Sequence, residues 1–144
     1  MTFDLATFLE EAGVGRRVVH LQPKQLFFMQ GSPADSISYL RTGSAKLTVV
    51  SPDGKEATVA LLSSGEFIGE ESLASVGELH LATASAIVVC TALQIAREEM
   101  IRVMHEEPSF SEMYMKFLLA RSMRHQAAST LHGGSLYRRF EALL

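Results

Sequence analysis

Few residues in this 144-residue chain have the type and spacing to do chemistry, and most of them fall between Gly65 and Ala86. The run GEFIGEESLASVGELHLATASA sets two carboxylates, Glu70 and Glu71, directly after Gly69, then His80, then the hydroxyls of Thr83 and Ser85. A glycine ahead of a helical turn lets a ligand approach the backbone and leaves N–H groups free to hold an anion. A carboxylate at such a start accepts hydrogen bonds from a neutral polar group such as a sugar diol. The competing reading is structural: acids at a helix start complement its dipole, and glycines serve turns. His80 is also open to two readings, a pH-dependent cation for a phosphate or a satisfied histidine on a strand.

Hydrolytic and metal chemistry find little support. The five histidines, His20, His80, His105, His125 and His132, form no HxH or HExxH pair, so no metal is expected. No serine stands in a G-x-S-x-G elbow, and neither a P-loop nor a dinucleotide fingerprint is present. The lone cysteine, Cys90, excludes an internal disulfide and reads as a buried, inert thiol. The chain is therefore read as no enzyme.

The elements that must position these residues follow from composition and period. With 47% hydrophobic and 20% charged residues the chain is an ordinary globular domain. A net charge of −3 argues against a dedicated nucleic-acid surface. No apolar run approaches the length of a membrane span, and the acidic start MTFDLATFLEE is unlike an export signal, so a cytoplasmic setting without a membrane partner is expected. Residues 4–11 place Leu5, Phe8 and Leu9 on one face of a short helix. Glycines then recur at Gly31, Gly43, Gly54 and Gly65, separating the aliphatic segments 37–40, 45–50 and 57–62. Short strands at this spacing indicate an antiparallel sandwich or barrel, with Ser51-Pro52-Asp53-Gly54 as a hairpin turn. Strands are also predicted over 79–87 and 89–95. After Ala96 the period changes to that of helices, a short one over 97–104 stopped by Pro108 and a long one from about Ser109 to Leu131. In the long helix Phe110, Met113, Phe117, Ala120 and Ala127 share a seam interrupted by Arg124. The seam reads either as a helix laid on the sandwich or as a dimer contact. A further short helical piece is predicted over 136–144.

Taken together, the glycine-spaced strands, the G-E-F-I-G-E cassette, the strand ending in C-T-A-L-Q-I, the short helix and the long helix resemble the cyclic-nucleotide-binding domain. The likeness is to the sensor half of Crp/Fnr-type bacterial transcription regulators, over roughly Leu21 to Gln126. It implies an α+β, mainly β fold: an antiparallel, jelly-roll-like β-roll of about eight strands. A short N-terminal helix, a short cassette helix and a long C-terminal dimerisation helix complete it. The roll would span residues 16–96, the C-terminal helices 97–131 and a tail 132–144, as a single domain without a helix-turn-helix.

The resemblance also implies a site. Gly69 and Glu70 would hold ribose and phosphate, with Glu71 beside them, and the long helix would bring His125 and Gln126 to the base. The family's phosphate-pairing arginine, followed by Ser or Thr and then Ala, falls on His80, Leu81 and Ala82 when counted back from Cys90. A register shifted by two recovers Thr83-Ala84 and puts Ala82 in the arginine's place. Under either, no Lys or Arg occurs between Glu56 and Ala96. A phosphodiester would rest on backbone N–H groups, on His80 and on the Thr83 or Ser85 hydroxyls. Losing one charge-assisted bond costs about 1.5–3 kcal/mol, roughly ten- to a hundredfold in affinity. The implied function is a non-catalytic sensor domain that binds a cyclic nucleotide (cAMP or cGMP) or another small effector and signals through a homodimeric helix. Direct DNA binding by these residues is not expected. Two alternatives stand beside it: a ligand-free dimerisation or protein-interaction module, and a haem-binding gas sensor with His80 as axial ligand and Cys90 or another His as the second.

Overall fold

A computed structural model describes residues 3–74 and 77–131, with side chains up to residue 123. The chain divides into two units, Met1–Glu106 and Glu107–Leu144. The first opens with helix α1 (Leu5–Glu10), whose N-cap Asp4 accepts a hydrogen bond from the Thr7 N–H. Eight strands follow: β1 (Arg16–Leu21), β2 (Leu26–Phe28), β3 (Ser36–Thr42), β4 (Ser44–Val50), β5 (Glu56–Ser63), β6 (Phe67–Ile68), β7 (Thr83–Ala86) and β8 (Cys90–Ala96). A 3-10 turn, Glu70–Leu73, sits between β6 and β7, and helix α2 (Arg97–Glu106) closes the unit.

The strands form two antiparallel four-stranded sheets, ordered β1-β8-β3-β6 and β2-β7-β4-β5. Their inner faces share one core, to which the first sheet gives Leu21, Leu40, Ile68 and Cys90 and the second gives Ala45, Leu62, Ala84 and Ala86. The mainly β roll expected from the resemblance is therefore the observed architecture. Gly43 makes the tight step from β3 to β4: its φ is 100°, and a Cβ there would stand 2.5 Å from the Val89 carbonyl oxygen.

The strand predicted over 79–87 is shorter than expected. Only Thr83–Ala86 belongs to β7, because residues 78–80 pair instead with the loop before β3. There His80 N–H donates to Ser32 O, Gly31 N–H donates to His80 O, and Ala34 N–H donates to Glu78 O. The second unit is described from helix α3 (Pro108–Leu131), close to the predicted limits. The piece predicted over 136–144 lies outside the described residues.

Candidate functional site

The site begins with a backbone constraint. Gly69 ends β6 with φ 100°, and a Cβ at this position would meet Ser36 O at 3.2 Å, the Phe28 ring at 3.3 Å and His80 Cε1 at 3.4 Å. The glycine is therefore the floor on which three segments converge, and only a residue without a side chain leaves them room. The Glu70–Leu73 turn follows at once. Ser72 closes it, donating both its N–H and its hydroxyl to Gly69 O. Arg97, the first residue of α2, donates its Nε to Ser72 O at 2.7 Å and its N–H to Asp35 O.

His80 faces this turn. The residue is 4% exposed, and its ring lies flat on Phe28, with ring centroids 3.6 Å apart and planes 7° from parallel. Nδ1 stands 3.1 Å from the Glu71 carboxylate. Phe28 comes from β2, a three-residue strand whose short LFF run carries no alternation in the sequence. Where the resemblance sets an arginine for a phosphate, the chain thus holds an imidazole already stacked and already partnered by a carboxylate.

Of the nine residues predicted to bind ligand, Gly69, Glu71 and His80 converge here. Glu70 occupies the first position of the 3-10 turn. Ala82 is buried, whereas Leu81 is 62% exposed and offers no hydroxyl. The Thr83 hydroxyl is taken up by the Gln30 N–H. Ser85 does not belong to the interior. On β7 the side chains alternate, and since Ala84 and Ala86 are in the core, Thr83 and Ser85 look outward. The Ser85 side chain therefore lines the outer groove of this sheet. His125 and Gln126 lie on α3, but their side chains fall outside the described residues.

The remaining expectations separate in the same way. Cys90 lies in the core, its thiol donating to Ser44 O and Val88 O, with burial pushing its pKa up. Those contacts make it a packed thiol, not a second ligand beside His80. Among the described residues no group of three or more His, Cys, Asp or Glu could hold a metal ion. On α3, Phe110 is buried, Met113 and Phe117 are half-buried, Ala120 is exposed, and the side chains of Arg124 and Ala127 are outside the described residues. The helix leaves a different apolar stripe exposed: Met115, Leu118, Leu119 and Met123, spaced to share one face.

Comparisons with known proteins bear on the family and the fold. Residues 18–107 match the family model described as the cyclic nucleotide-binding domain. The cAMP-activated global transcriptional regulator CRP of Pasteurella multocida is 30% identical over 108 residues, covering 74% of this chain and 51% of that protein. The catabolite activator protein of Thermus thermophilus superposes with a TM-score of 0.66 at 26% identity, over 81% of this chain and 54% of that one. A transcriptional regulator of Thermotoga maritima shares the fold with a TM-score of 0.68 at 19% identity, over 89% of this chain and 94% of that one. The chain spans about half the length of the curated relatives it matches. No described helix is long and apolar enough to cross a membrane.

Proposed function

Because this chain belongs to the cyclic nucleotide-binding domain family, in its Crp/Fnr-type branch, we propose that it is a non-catalytic, cytoplasmic sensor domain of a transcription regulator. It takes a small effector inside the roll and passes the signal through α3. One observation carries the reading: Gly69, Glu71, His80 and Phe28 converge where the resemblance puts the ribose and phosphate. The carboxylate of Glu71 occupies the imidazole in the way an anionic ligand would. Binding a cyclic nucleotide, cAMP or cGMP, then requires the phosphodiester to displace Glu71 from His80. The exchange trades one charge-assisted bond for another, so it adds little affinity. An effector with less negative charge, able to donate to Glu71, meets no such competition. Signalling proceeds by a shift between two arrangements of the site that the effector binds unequally.

Homodimerisation is proposed through the exposed stripe of Met115, Leu118, Leu119 and Met123, an apolar face of the kind that a second copy covers. No contact with DNA is assigned to the roll or to α2. A second reading, a ligand-free dimerisation module, draws on the same Phe28–His80–Glu71 cluster, since a site filled by its own side chains needs no effector.

A thermal-shift panel of cAMP, cGMP and uncharged nucleosides at pH 6 and pH 8 tests the choice. Ligand at a hundred times its Kd stabilises the fold by about 2.7 kcal/mol. A nucleotide shift that is lost in His80→Ala supports the His80 route, and Glu71→Gln, which removes the internal competitor, strengthens it. No shift with any compound, in the native chain or in Glu71→Gln, overturns the sensor reading in favour of the dimerisation module.

A further inference from the structure

The sheet β2-β7-β4-β5 has a second face, and that face is built like a binding groove. A cavity of about 530 Å³ lies on it, lined by Lys24, Leu26, Lys46, Thr48, Ser85 and Ile87, among others. Strand register places these groups side by side: Leu26 opposes Ser85, Ser85 opposes Lys46, and Thr83 opposes Thr48. Thr48 is only 6% exposed and Ser85 only 8%, yet neither hydroxyl has a hydrogen-bond partner among the described residues. Both residues line the cavity, and their hydroxyl oxygens open into it rather than being sealed away from solvent. Lys24 and Lys46 are likewise without an ion pair among the described residues.

Lys24 adds an independent observation. It is the one non-glycine residue with positive φ among those described, at 75°. The turn Gln22-Pro23-Lys24-Gln25, closed by Gln25 N–H to Gln22 O, wants glycine or asparagine at this corner. A lysine there costs backbone energy that the turn does not require. Its N–H is anchored to Ala86 O at 2.8 Å, which fixes the base of the side chain against β7 at the cavity's edge.

The charges select the ligand. Two lysines and one carboxylate, Glu56 at the far end, leave a single net positive charge in the groove. Leu26 and Ile87, both more than 40% exposed, give it apolar walls. We propose that this outer groove is a second ligand site, for a small amphiphilic monoanion. An aliphatic carboxylate seats its head between the Lys24 and Lys46 ammonium groups on the Thr48 and Ser85 hydroxyls and lays its chain along Leu26 and Ile87. The site is independent of the effector reading of the interior.

The test is a chemical-shift titration of the full 144-residue chain with octanoate, with octan-1-ol and inorganic phosphate as separate arms. Octanoate is expected to give saturable shifts at the amides of Lys24, Lys46, Thr48, Ser85 and Ile87. Octanol and phosphate, each lacking one half of the ligand, bind roughly tenfold more weakly or worse. The variant Lys24→Asn/Lys46→Thr keeps the left-handed turn, since Asn tolerates it, and loses octanoate binding with a melting temperature no lower than before. Ser85→Val does the same with both lysines in place, and His80→Ala leaves binding intact. The proposal is overturned if octanoate shifts none of these amides, if phosphate matches octanoate, if the lysine variant binds as before, or if the shifts fall on Gly69 and His80 instead.

Discussion

The two faces of one sheet treat polar groups in opposite ways. Towards the core, β4, β5 and β7 present Ala45, Leu62, Ala84 and Ala86, and the nearby ionisable pair, Glu71 and His80, is closed on itself under the ring of Phe28. Away from the core, the same strands present Lys46, Thr48 and Ser85, with hydroxyls left unbonded and ammonium groups left unpaired. A family resemblance directs attention to the first face. The second face differs in that its hydroxyls and ammonium groups have no protein partner among the described residues and stand open to a ligand.

The contrast is sharpest at two adjacent leucines of β5. Leu62, 4% exposed, is in the shared core, and Leu62→Ala is expected to cost about 2–5 kcal/mol. Leu61, 71% exposed, opposes Lys46 on the outer face, and Leu61→Ala should stay within about 0.5 kcal/mol. Urea denaturation of both variants checks the pair; equal losses would abolish the distinction between the faces. His80→Ala comes next. It strips Glu71 of its partner and Phe28 of its stacked ring, for an expected loss of about 1–3 kcal/mol, whereas Lys46→Thr, with no partner to orphan, should be nearly neutral. Gly69→Ala forces an alanine into the left-handed region against Ser36 O, an expected loss of about 1–2 kcal/mol by thermal unfolding.

The smallest effect is at Cys90. Its pKa is raised by burial, so the native thiol keeps its proton at a pH where the unfolded chain has begun to lose it. Stability contributed by this group is therefore present below the ordinary thiol range and declines as pH rises through it. Alkylation of the native chain at pH 8 should run far more slowly than alkylation in urea. Equal rates would mean that the core opens at Cys90.

Much of the roll was legible before any coordinates. The aliphatic segments 37–40, 45–50 and 57–62 sit inside β3, β4 and β5, since glycines with positive φ between them mark the turns. Segments whose contrast is low resisted reading. Thr83-Ala84-Ser85-Ala86 alternates, but small residues on both faces hide which side is buried, so the facing of the Ser85 hydroxyl is not legible in the sequence. The Glu71–His80–Phe28 cluster was not legible as a unit. It joins a turn, a loop-paired segment and a three-residue strand, and only the pairing of 78–80 with 31–34 brings them together. On α3 the period predicted the helix but not which stripe stays exposed, because apolar residues occur on several faces.

One bond described above has a mechanical meaning. Arg97 begins α2, and through its Nε it grips the carbonyl of Ser72 while its own N–H holds Asp35. The cassette turn and the first residue of α2 are thereby linked through one guanidinium. A reshaping of Glu70–Leu73 that moves the Ser72 carbonyl has to break this hydrogen bond or carry the Arg97 side chain with it.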